Sequence, residues 1–367
     1  MTVLASIAGR PHTWRTGANG RPIGLAISMA DIALANNPDH WQDARAILAR
    51  EATIITQTDL HWPGREPTQG VFDWDVVDVV DAWARSLGLQ QHLHLFSDGT
   101  PAAGWPLPPW VGSAVTNAAT AESVLRTWLA AQCTRYPAPL HATICGEPLV
   151  EGTSGVPGPG GTFLRDGIFG SFLGVNLIDI AFDEVHSHWP TTDLLLNQFH
   201  LESHQAVRDD MLTLVDDLLS RGVPVTSVGI ESHLSPGTAD DPGNGIFFKP
   251  ADNAVANDAF LTALQSRGIE AHITELDIND HASFPVDIAA RDAVIAGYIK
   301  DCLDSMLPHS NLHSATIWGI ADGTPITNAQ TPRGDGLPGR PLPWDAGYQP
   351  KTMYSIIRDA ITQHWGA

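Results

Sequence analysis

The chain has 367 residues, of which 43% are hydrophobic and 17% are charged. This composition is typical of a globular protein with a large buried core, and a chain of this length can form one (β/α)8 barrel. The formal net charge is −21, from 41 acidic and 20 basic residues. Nucleic acids and anionic membranes are therefore excluded as expected partners, because both bind basic surfaces, whereas a neutral small molecule is not repelled.

Cysteine usage and the N-terminus indicate the expected compartment. Cys133, Cys145 and Cys302 are odd in number and lack metal-ligand spacing, so neither a disulfide framework nor a zinc site is predicted. The N-terminal residues lack a basic segment followed by an apolar core, and no apolar run approaches the ~18 residues that span a membrane. We therefore expect a cytoplasmic protein; the sequence does not indicate its oligomeric state.

Eight short apolar segments rich in β-branched residues predict eight strands. In chain order they are residues 22–28, 52–58, 89–96, 141–147, 193–199, 226–232, 270–277 and 314–321. The intervening segments, such as 77–88 and 209–222, carry apolar residues at helical spacing. Strands that alternate with helices form parallel βαβ units, and eight units favour closure into a barrel.

The fold prediction is therefore α/β, with residues 1–367 forming a single (β/α)8 TIM barrel. A doubly wound open sheet is the alternative, but no strand is followed by a glycine-rich phosphate-binding turn. The glycine-rich segment 152–161 is predicted to be a loop above the barrel.

Polar and aromatic residues gather where the predicted strands end, which is the end of such barrels that carries active sites. They are Gln57, Thr58, Asp59, His61, Trp62, His92, His94, Glu147, Asn197, Gln198, His200, Glu231, His233, Glu275, Asp277 and Trp318.

Two of these residues, Glu147 and Glu275, end the fourth and seventh strands, which face each other across a barrel. Two carboxyl groups that flank one bond suit glycoside cleavage, with a separation of ~5–5.5 Å for retention and ~6.5–9.5 Å for inversion. The indole faces of Trp62, Trp110 and Trp318, like that of Trp105, can stack on sugar rings. Taken singly, a glutamate at a strand end more often caps a loop, and a lone histidine such as His94 is more often structural. The order and spacing of Glu147 and Glu275 taken together favour catalysis.

At this point the segments resemble glycoside hydrolase family 10, best known for endo-β-1,4-xylanases, from about residue 22 to residue 360. The most specific match is ITELDI, residues 273–278, which is similar to the nucleophile motif of the family. The other matching segments are residues 56–74, 161–174, 194–203, 228–234, 315–323 and 341–354.

The resemblance implies a retaining mechanism with Glu275 as nucleophile and Glu147, in ICGEP, as acid/base. It implies that His233 bonds the nucleophile and keeps it ionised, with Asp277 as support behind this pair. No cofactor and no metal are required by this chemistry.

The resemblance also implies the sugar contacts. His92 would contact the sugar in subsite −1, and Trp318 would form the floor of that subsite. The further candidate substrate-binding residues are Gln57, Asp59, His61, Trp62, Gly146, Asn197, His200 and Glu231.

The first departure from the family pattern is Gly146, where the family usually has an asparagine that bonds the 2-hydroxyl of the −1 sugar. The glycine removes a contact that is expected to strengthen in the transition state, where such contacts supply several kcal/mol. It also leaves space beside that hydroxyl.

Further departures affect sugar recognition. Gln57, Thr58 and His61 stand where the family offers glutamate, asparagine and lysine to the −2 sugar. Ser97 replaces the second histidine of the strand-three motif, Glu231 replaces a glutamine, and a second tryptophan after the eighth strand is absent.

Three functions remain open on the sequence. The first is a retaining β-glycosidase whose substrate is a short oligosaccharide or small glycoside rather than ordinary xylan. The second is an intracellular endo-β-1,4-xylanase that acts on xylo-oligosaccharides. The third, motivated by Gly146, is a catalytically inactive carbohydrate-binding barrel.

Overall fold

The computed structural model describes residues 12–27, 38–58, 60–98, 106–150, 155–236, 250–323 and 333–366. Its central element is a closed barrel of eight parallel strands, which confirms the predicted (β/α)8 fold. In chain order, β1 to β8 are Ile23–Ile27, Ile54–Gln57, Gln90–His94, His141–Gly146, Asp193–Gln198, Ser227–Ile230, Glu270–Ile278 and Leu312–Ile317.

The barrel is closed by strand pairing in simple sequence order. Each strand pairs in parallel with the next, from β1–β2 to β7–β8, and β8 pairs with β1, where Gly24 lies opposite Thr316. Because all strands run in the same direction, their carboxyl ends meet at one mouth of the barrel. This topology brings strand-end residues that are far apart in the chain to one site.

A long helix follows each strand within the described residues. The helices α1 to α8 are Pro38–Glu51, Asp75–Ser86, Ala118–Arg135, Asn176–His188, Gln205–Ser220, Pro250–Ser266, Ile288–Met306 and Thr352–Trp365. Helix α2 shows why these segments pack on the barrel: Val77, Val80 and Ala84 share one face and are buried. No helix among the described residues is long and apolar enough to cross a membrane.

The strands are covered on both faces, inside by each other and outside by the helices. All residues of β1, β4 and β6 are buried. This double burial explains why the strands occur in the sequence as almost continuous apolar runs rather than as alternating patterns.

Short elements supplement the eight strands and eight long helices. The short helices are Trp14–Gly17, Trp62–Arg65, Val111–Ala114 and Ile168–Leu173, with a 3-10 turn at Pro159–Gly161. Val156–Pro157 and Phe163–Leu164 form a small antiparallel pair, and His233–Leu234 extends the sheet beside β7. Of the predicted loop 152–161, residues 152–154 lie outside the described residues.

Candidate active site

Three glutamates meet at the mouth of the barrel. Glu147 directly follows β4, Glu231 directly follows β6, and Glu275 lies within β7. Glu231 and Glu275 are only 3% and 5% exposed. Buried carboxyl groups require hydrogen bonds or charged partners, so their contacts define what the site can do.

The backbone at this mouth adopts a conformation that residues other than glycine rarely take. Glu147, His200 and Ser232 have φ values of 50°, 63° and 62°, and they follow β4, β5 and β6. Left-handed backbone at such residues persists only where the surroundings enforce it, and it concentrates at functional sites.

Asn197, on β5, connects the three glutamates. Its Nδ2 donates to Oε1 of Glu275 at 2.8 Å and to Oε1 of Glu231 at 3.0 Å. Its backbone carbonyl oxygen accepts a hydrogen bond from the backbone N–H of Glu147 at 2.7 Å. Its side-chain oxygen Oδ1 accepts a hydrogen bond from Oγ1 of Thr274 at 2.6 Å. A single 1% exposed asparagine therefore positions both members of the predicted catalytic pair.

His233 lies between two carboxylates. Its Nδ1 is 2.7 Å from Oδ1 of Asp277, and its Nε2 is 3.1 Å from Oε2 of Glu275. Burial alone would lower the pKa of His233, but Asp277 and Glu275 raise it well above the ordinary value. The two carboxylates therefore favour the imidazolium form, which can donate a hydrogen bond from each ring nitrogen.

The two neighbouring glutamates have opposite protonation preferences. Burial, the largest single cause, would raise the pKa of Glu275, but His233, His94 and Asn197 together outweigh burial and lower it. Burial, together with the negative charges of Glu275 and Glu147, raises the pKa of Glu231 well above its ordinary value. The pKa values of these two neighbouring carboxyl groups are thus shifted in opposite directions.

Donor atoms of Glu231, His233 and Glu275 lie within 4.8 Å of one another, a spacing that a metal ion can bridge. A metal ligand must be a neutral imidazole, however, whereas Asp277 and Glu275 raise the pKa of His233 and favour its protonated form. This arrangement favours proton chemistry.

Arg165 is a contact that the sequence did not indicate. Its Nη2 donates to Oε2 of Glu147 at 2.6 Å, and its Nε donates to the backbone oxygen of Glu147 at 2.8 Å. Arg165 is 18 residues from Glu147 in the loop before α4, and no motif at this spacing signals the pair. These two hydrogen bonds hold the Glu147 side chain and backbone in position.

Gly146 lies at the end of β4, where there is room for a small side chain. A Cβ atom built on Gly146 would lie 3.6 Å from the backbone oxygen of Phe96 and 3.7 Å from Cβ of Ser97, both ordinary contacts. Oγ of Ser97 is buried and has no hydrogen-bond partner among the described residues. A Cβ atom at position 146 would therefore fit next to Glu147 without displacing its neighbours.

The structure puts His94, rather than His92, beside the nucleophile candidate. Nδ1 of His94 is 3.7 Å from Oε1 of Glu275, and its ring lies 5.7 Å from that of Trp318. His92 is one layer deeper, 1% exposed, with Nε2 at 2.9 Å from Oγ1 of Thr143. The expectation that His92 contacts the sugar is corrected for this reason, and the alternation of strand residues, which puts both histidines on one face, could have indicated His94.

Trp318 lies beside the two histidines that contact Glu275. Its partly buried indole ring is 5.7 Å from the ring of His94 and packs edge-on against His233 at 6.0 Å. Its role as the floor of subsite −1 stays a prediction.

Trp62 does not face the site, contrary to the prediction. It is 5% exposed and stacks on Trp128 at 4.8 Å and on Phe169 at 5.7 Å, while its Nε1 donates to Oε2 of Glu66 at 2.7 Å. Its indole faces are occupied by other aromatic rings, so they are not available to a sugar.

The remaining predicted contacts are placed as follows. Gln57 is 3% exposed and donates through Nε2 to Oε1 of Gln91 at 2.9 Å, within the barrel. His61 is partly buried at the start of the short helix Trp62–Arg65, and His200 is partly buried with its pKa lowered to about 4 by burial and by nearby histidines. Asp59 lies outside the described residues, as does Trp105.

A closed parallel barrel with connected carboxyl groups at its mouth defines the class: such a site is suited to hydrolysis of glycosidic bonds. Comparison with known proteins gives the family. The model of glycosyl hydrolase family 10 matches residues 15–360.

Individual relatives agree with this match. The chain is 25% identical over 315 residues to endo-1,4-beta-xylanase 1 of Gibberella zeae, covering 85% of this chain and 81% of the relative. It is 26% identical over 324 residues to endo-1,4-beta-xylanase 3 of Hypocrea jecorina, covering 86% and 77%.

Solved structures share the fold. Native xylanase10C from Cellvibrio japonicus has a TM-score of 0.79 at 20% identity, covering 97% of this chain and 73% of that chain. TsXylA, an intracellular xylanase from Thermoanaerobacterium saccharolyticum, has a TM-score of 0.72 at 21% identity, covering 95% and 98%.

The chain therefore belongs to glycosyl hydrolase family 10. It is a glycoside hydrolase that acts on O-glycosyl bonds with a retaining mechanism.

Proposed function

We propose that this enzyme is a retaining β-glycosidase that hydrolyses a short oligosaccharide or a small glycoside, with Glu275 as nucleophile and Glu147 as acid/base. The observation that carries the proposal is the position of Asn197, which bonds the Glu275 carboxylate through its side chain and the Glu147 backbone through its carbonyl oxygen. Through these two hydrogen bonds, Asn197 holds both glutamates in position relative to β5.

The proposed reaction is a double displacement. In the first step the Glu147 carboxyl group gives its proton to the glycosidic oxygen while the Glu275 carboxylate attacks the anomeric carbon, so the leaving group departs as an alcohol. In the second step Glu147 takes a proton from water, and the resulting hydroxide displaces Glu275 from the sugar. The two inversions restore the original configuration.

His233 and Asp277 support the nucleophile in this proposal. The imidazolium donates to Glu275 and is itself held by Asp277, which is fully buried. A carboxylate that accepts a charge-assisted hydrogen bond stays ionised and ready to attack.

Glu231 supports the same reaction in its neutral form. The glutamine that the family resemblance leads one to expect here is neutral, and a protonated Glu231 accepts the same hydrogen bond from Asn197 without adding a second negative charge beside Glu275. The substitution is therefore compatible with catalysis.

The altered sugar-binding shell supports a substrate other than ordinary xylan. The absence of a side chain at Gly146 leaves room for a small group beside Glu147, which a substituent on the sugar can use. The occupied faces of Trp62 and the buried position of Gln57 remove two contacts predicted for a longer chain of sugars.

The second candidate is an endo-β-1,4-xylanase that acts on xylo-oligosaccharides, and the names of the relatives from Gibberella zeae and Hypocrea jecorina favour it. The inactive barrel is disfavoured, because the Glu275 carboxyl group is hydrogen-bonded to Asn197 and His233 and the Glu147 carboxyl group is hydrogen-bonded to Arg165. Loss of one of these hydrogen-bonding residues would have left a buried charge without a partner.

Two variants of Gly146 separate the two active candidates. Gly146→Asn adds a donor beside the −1 sugar, and Gly146→Ala fills the same space with a methyl group alone. If the natural substrate carries a substituent there, Asn lowers kcat/KM for that substrate. For unsubstituted aryl xylosides and xylo-oligosaccharides, the kcat/KM of Gly146→Asn should be about 10- to 150-fold higher than that of Gly146→Ala. This ratio corresponds to one hydrogen bond of about 1.5–3 kcal/mol to the transition state.

A panel of aryl glycosides and defined oligosaccharides provides the substrates for this comparison. The proposal predicts that a short or substituted glycoside is the best substrate of the wild-type enzyme. Long xylan as the best substrate, with Gly146→Asn and Gly146→Ala behaving alike, would contradict the altered subsite and favour the endo-xylanase.

A further inference from the structure

A second polar cluster lies at the other end of the barrel from the glutamates. His141 is the first residue of β4, Asp193 is the first residue of β5, and His272 is the third residue of β7. Along β7, His272 precedes Glu275 by three residues, which is roughly 10 Å of strand. The cluster is therefore separate from the site of glycoside cleavage.

The three side chains converge on one point. One donor atom from each of His141, Asp193 and His272 lies within 4.8 Å of the other two, and the two imidazole rings are 4.3 Å apart between centroids. Nε2 of His272 is 2.6 Å from Oδ2 of Asp193. The spacings of 52 and 79 residues between these residues explain why no sequence motif revealed the cluster.

His141 is the third member of the cluster. It is 5% exposed, and its ring lies against that of His272. A neutral imidazole offers one nitrogen lone pair to a metal ion.

We propose that His141, Asp193 and His272 form a binding site for a divalent transition-metal ion of the zinc type. Two imidazole nitrogens and one carboxylate oxygen are a ligand set that zinc prefers, and water completes four-coordination. Donor atoms on a tetrahedral zinc ion lie roughly 3.4 Å apart. The bonded pair Asp193–His272 separates slightly on binding, and the metal replaces the proton that these two residues share.

Groups outside the three ligands hold them in position for this role. Oγ of Ser314 is 2.7 Å from Nδ1 of His272, so Nε2 is the nitrogen that faces the cluster. Oγ1 of Thr226 donates to Oδ1 of Asp193 at 2.5 Å, which leaves Oδ2 for the metal. Partners of this kind orient metal ligands and raise their affinity.

An entry path also exists. The side chain of Asp193 is 17% exposed, and the ring of His313, 6.4 Å from that of His272, is at the surface with Glu270 bonded to it at 2.9 Å. A cation can therefore reach the cluster from this end of the barrel. Once bound, it would tie β4, β5 and β7 together.

The test uses the full-length enzyme, stripped with a chelator and titrated with Zn²⁺ by calorimetry and with Co²⁺ by visible absorption. We expect one equivalent of either ion, intense Co²⁺ bands typical of four-coordination, and a rise in Tm of about 3 to 6 °C at Zn²⁺ concentrations near 100 times the Kd. His141→Ala and Asp193→Asn should each lose this equivalent, weakening binding at least 100-fold.

A surface pair provides the matched control. His309 lies 3.3 Å from Asp258, so His309→Ala removes a histidine bonded to an aspartate elsewhere, and metal binding should be unchanged. If wild-type enzyme takes up no ion, or if His141→Ala and Asp193→Asn both fold and bind as wild type does, the proposal is wrong. If the ion binds at Glu231, His233 and Glu275 instead, His141→Ala and Asp193→Asn will bind as wild type does, and the proposal is again wrong.

Discussion

Replacement of Glu231 by glutamine tests the electrostatics of the three-glutamate site. The amide has the shape of the neutral carboxyl group, and its Oε1 can accept the same hydrogen bond from Asn197. The variant therefore differs from the wild type only where Glu231 would be ionised.

The magnitude follows from the distance to Glu275. Oxygens of the two carboxyl groups lie within 4.8 Å, and at an effective dielectric constant of about 20 two unit charges at that distance repel by about 3.5 kcal/mol. Burial, the largest cause, and this repulsion both raise the pKa of Glu231.

The sign of the stability effect follows from linkage. Glu231 has a higher pKa in the folded than in the unfolded protein, so its contribution to stability is complete below about pH 4.5. It is lost as pH rises through the folded pKa, by about 1.4 kcal/mol per pH unit. Glu231→Gln cannot ionise, so it should gain up to about 3.5 kcal/mol relative to the wild type between pH 4.5 and pH 8.

Urea denaturation of both proteins at pH 4.5, 6 and 8 measures this difference. The matched control is Glu122→Gln, whose side chain is 44% exposed and whose effect should vary by less than about 0.5 kcal/mol over the same range. A Glu231→Gln difference that does not change with pH would refute the view that Glu231 is held neutral.

Three further substitutions test other parts of the site. Asn197→Ala removes a charge-assisted bond of about 1.5–3 kcal/mol to Glu275, so kcat should fall roughly 10- to 150-fold in a protein whose circular dichroism is unchanged; an unaltered kcat would contradict the role of Asn197. Arg165→Gln removes the two hydrogen bonds that hold Glu147 in position, so kcat/KM should fall roughly 10- to 150-fold, and an unaltered kcat/KM would show that this contact does not act on catalysis. Trp62→Phe should lower the unfolding free energy by about 0.5–3 kcal/mol and leave KM unchanged, whereas a raised KM with unchanged stability would restore the predicted sugar contact.

The barrel was predictable from the sequence because burial on both faces makes each strand a short, continuous apolar run. The eighth strand shows the limit of this signal. It was predicted at 314–321 and is found at Leu312–Ile317, since the apolar residues continue beyond the point where the chain turns at Gly319, whose φ is 138°. Hydrophobicity indicates burial, whereas the end of a strand depends on local backbone conformation.

The candidate site was predictable only in part. Glu147, Glu275 and His233 occur in recognisable segments at strand ends, and the shared direction of the strands brings them together. His92 and His94 share one face of β3, and only depth within the barrel decides which of them reaches Glu275. Arg165 comes from a loop whose path depends on tertiary packing, and Trp62 lies at a strand end but packs inward on Trp128.

Trapping of the glycosyl-enzyme intermediate with an activated 2-deoxy-2-fluoro glycoside tests the catalytic assignment most directly. The fluorine slows both steps, so an ester between the sugar and the nucleophile accumulates and appears as a mass increase of one fluorosugar. The account predicts that peptide mapping puts this increase on Glu275, within ITELDI, and that Glu275→Gln abolishes it. Labelling of Glu231 or Glu147 instead would contradict the assignment of Glu275 as the nucleophile.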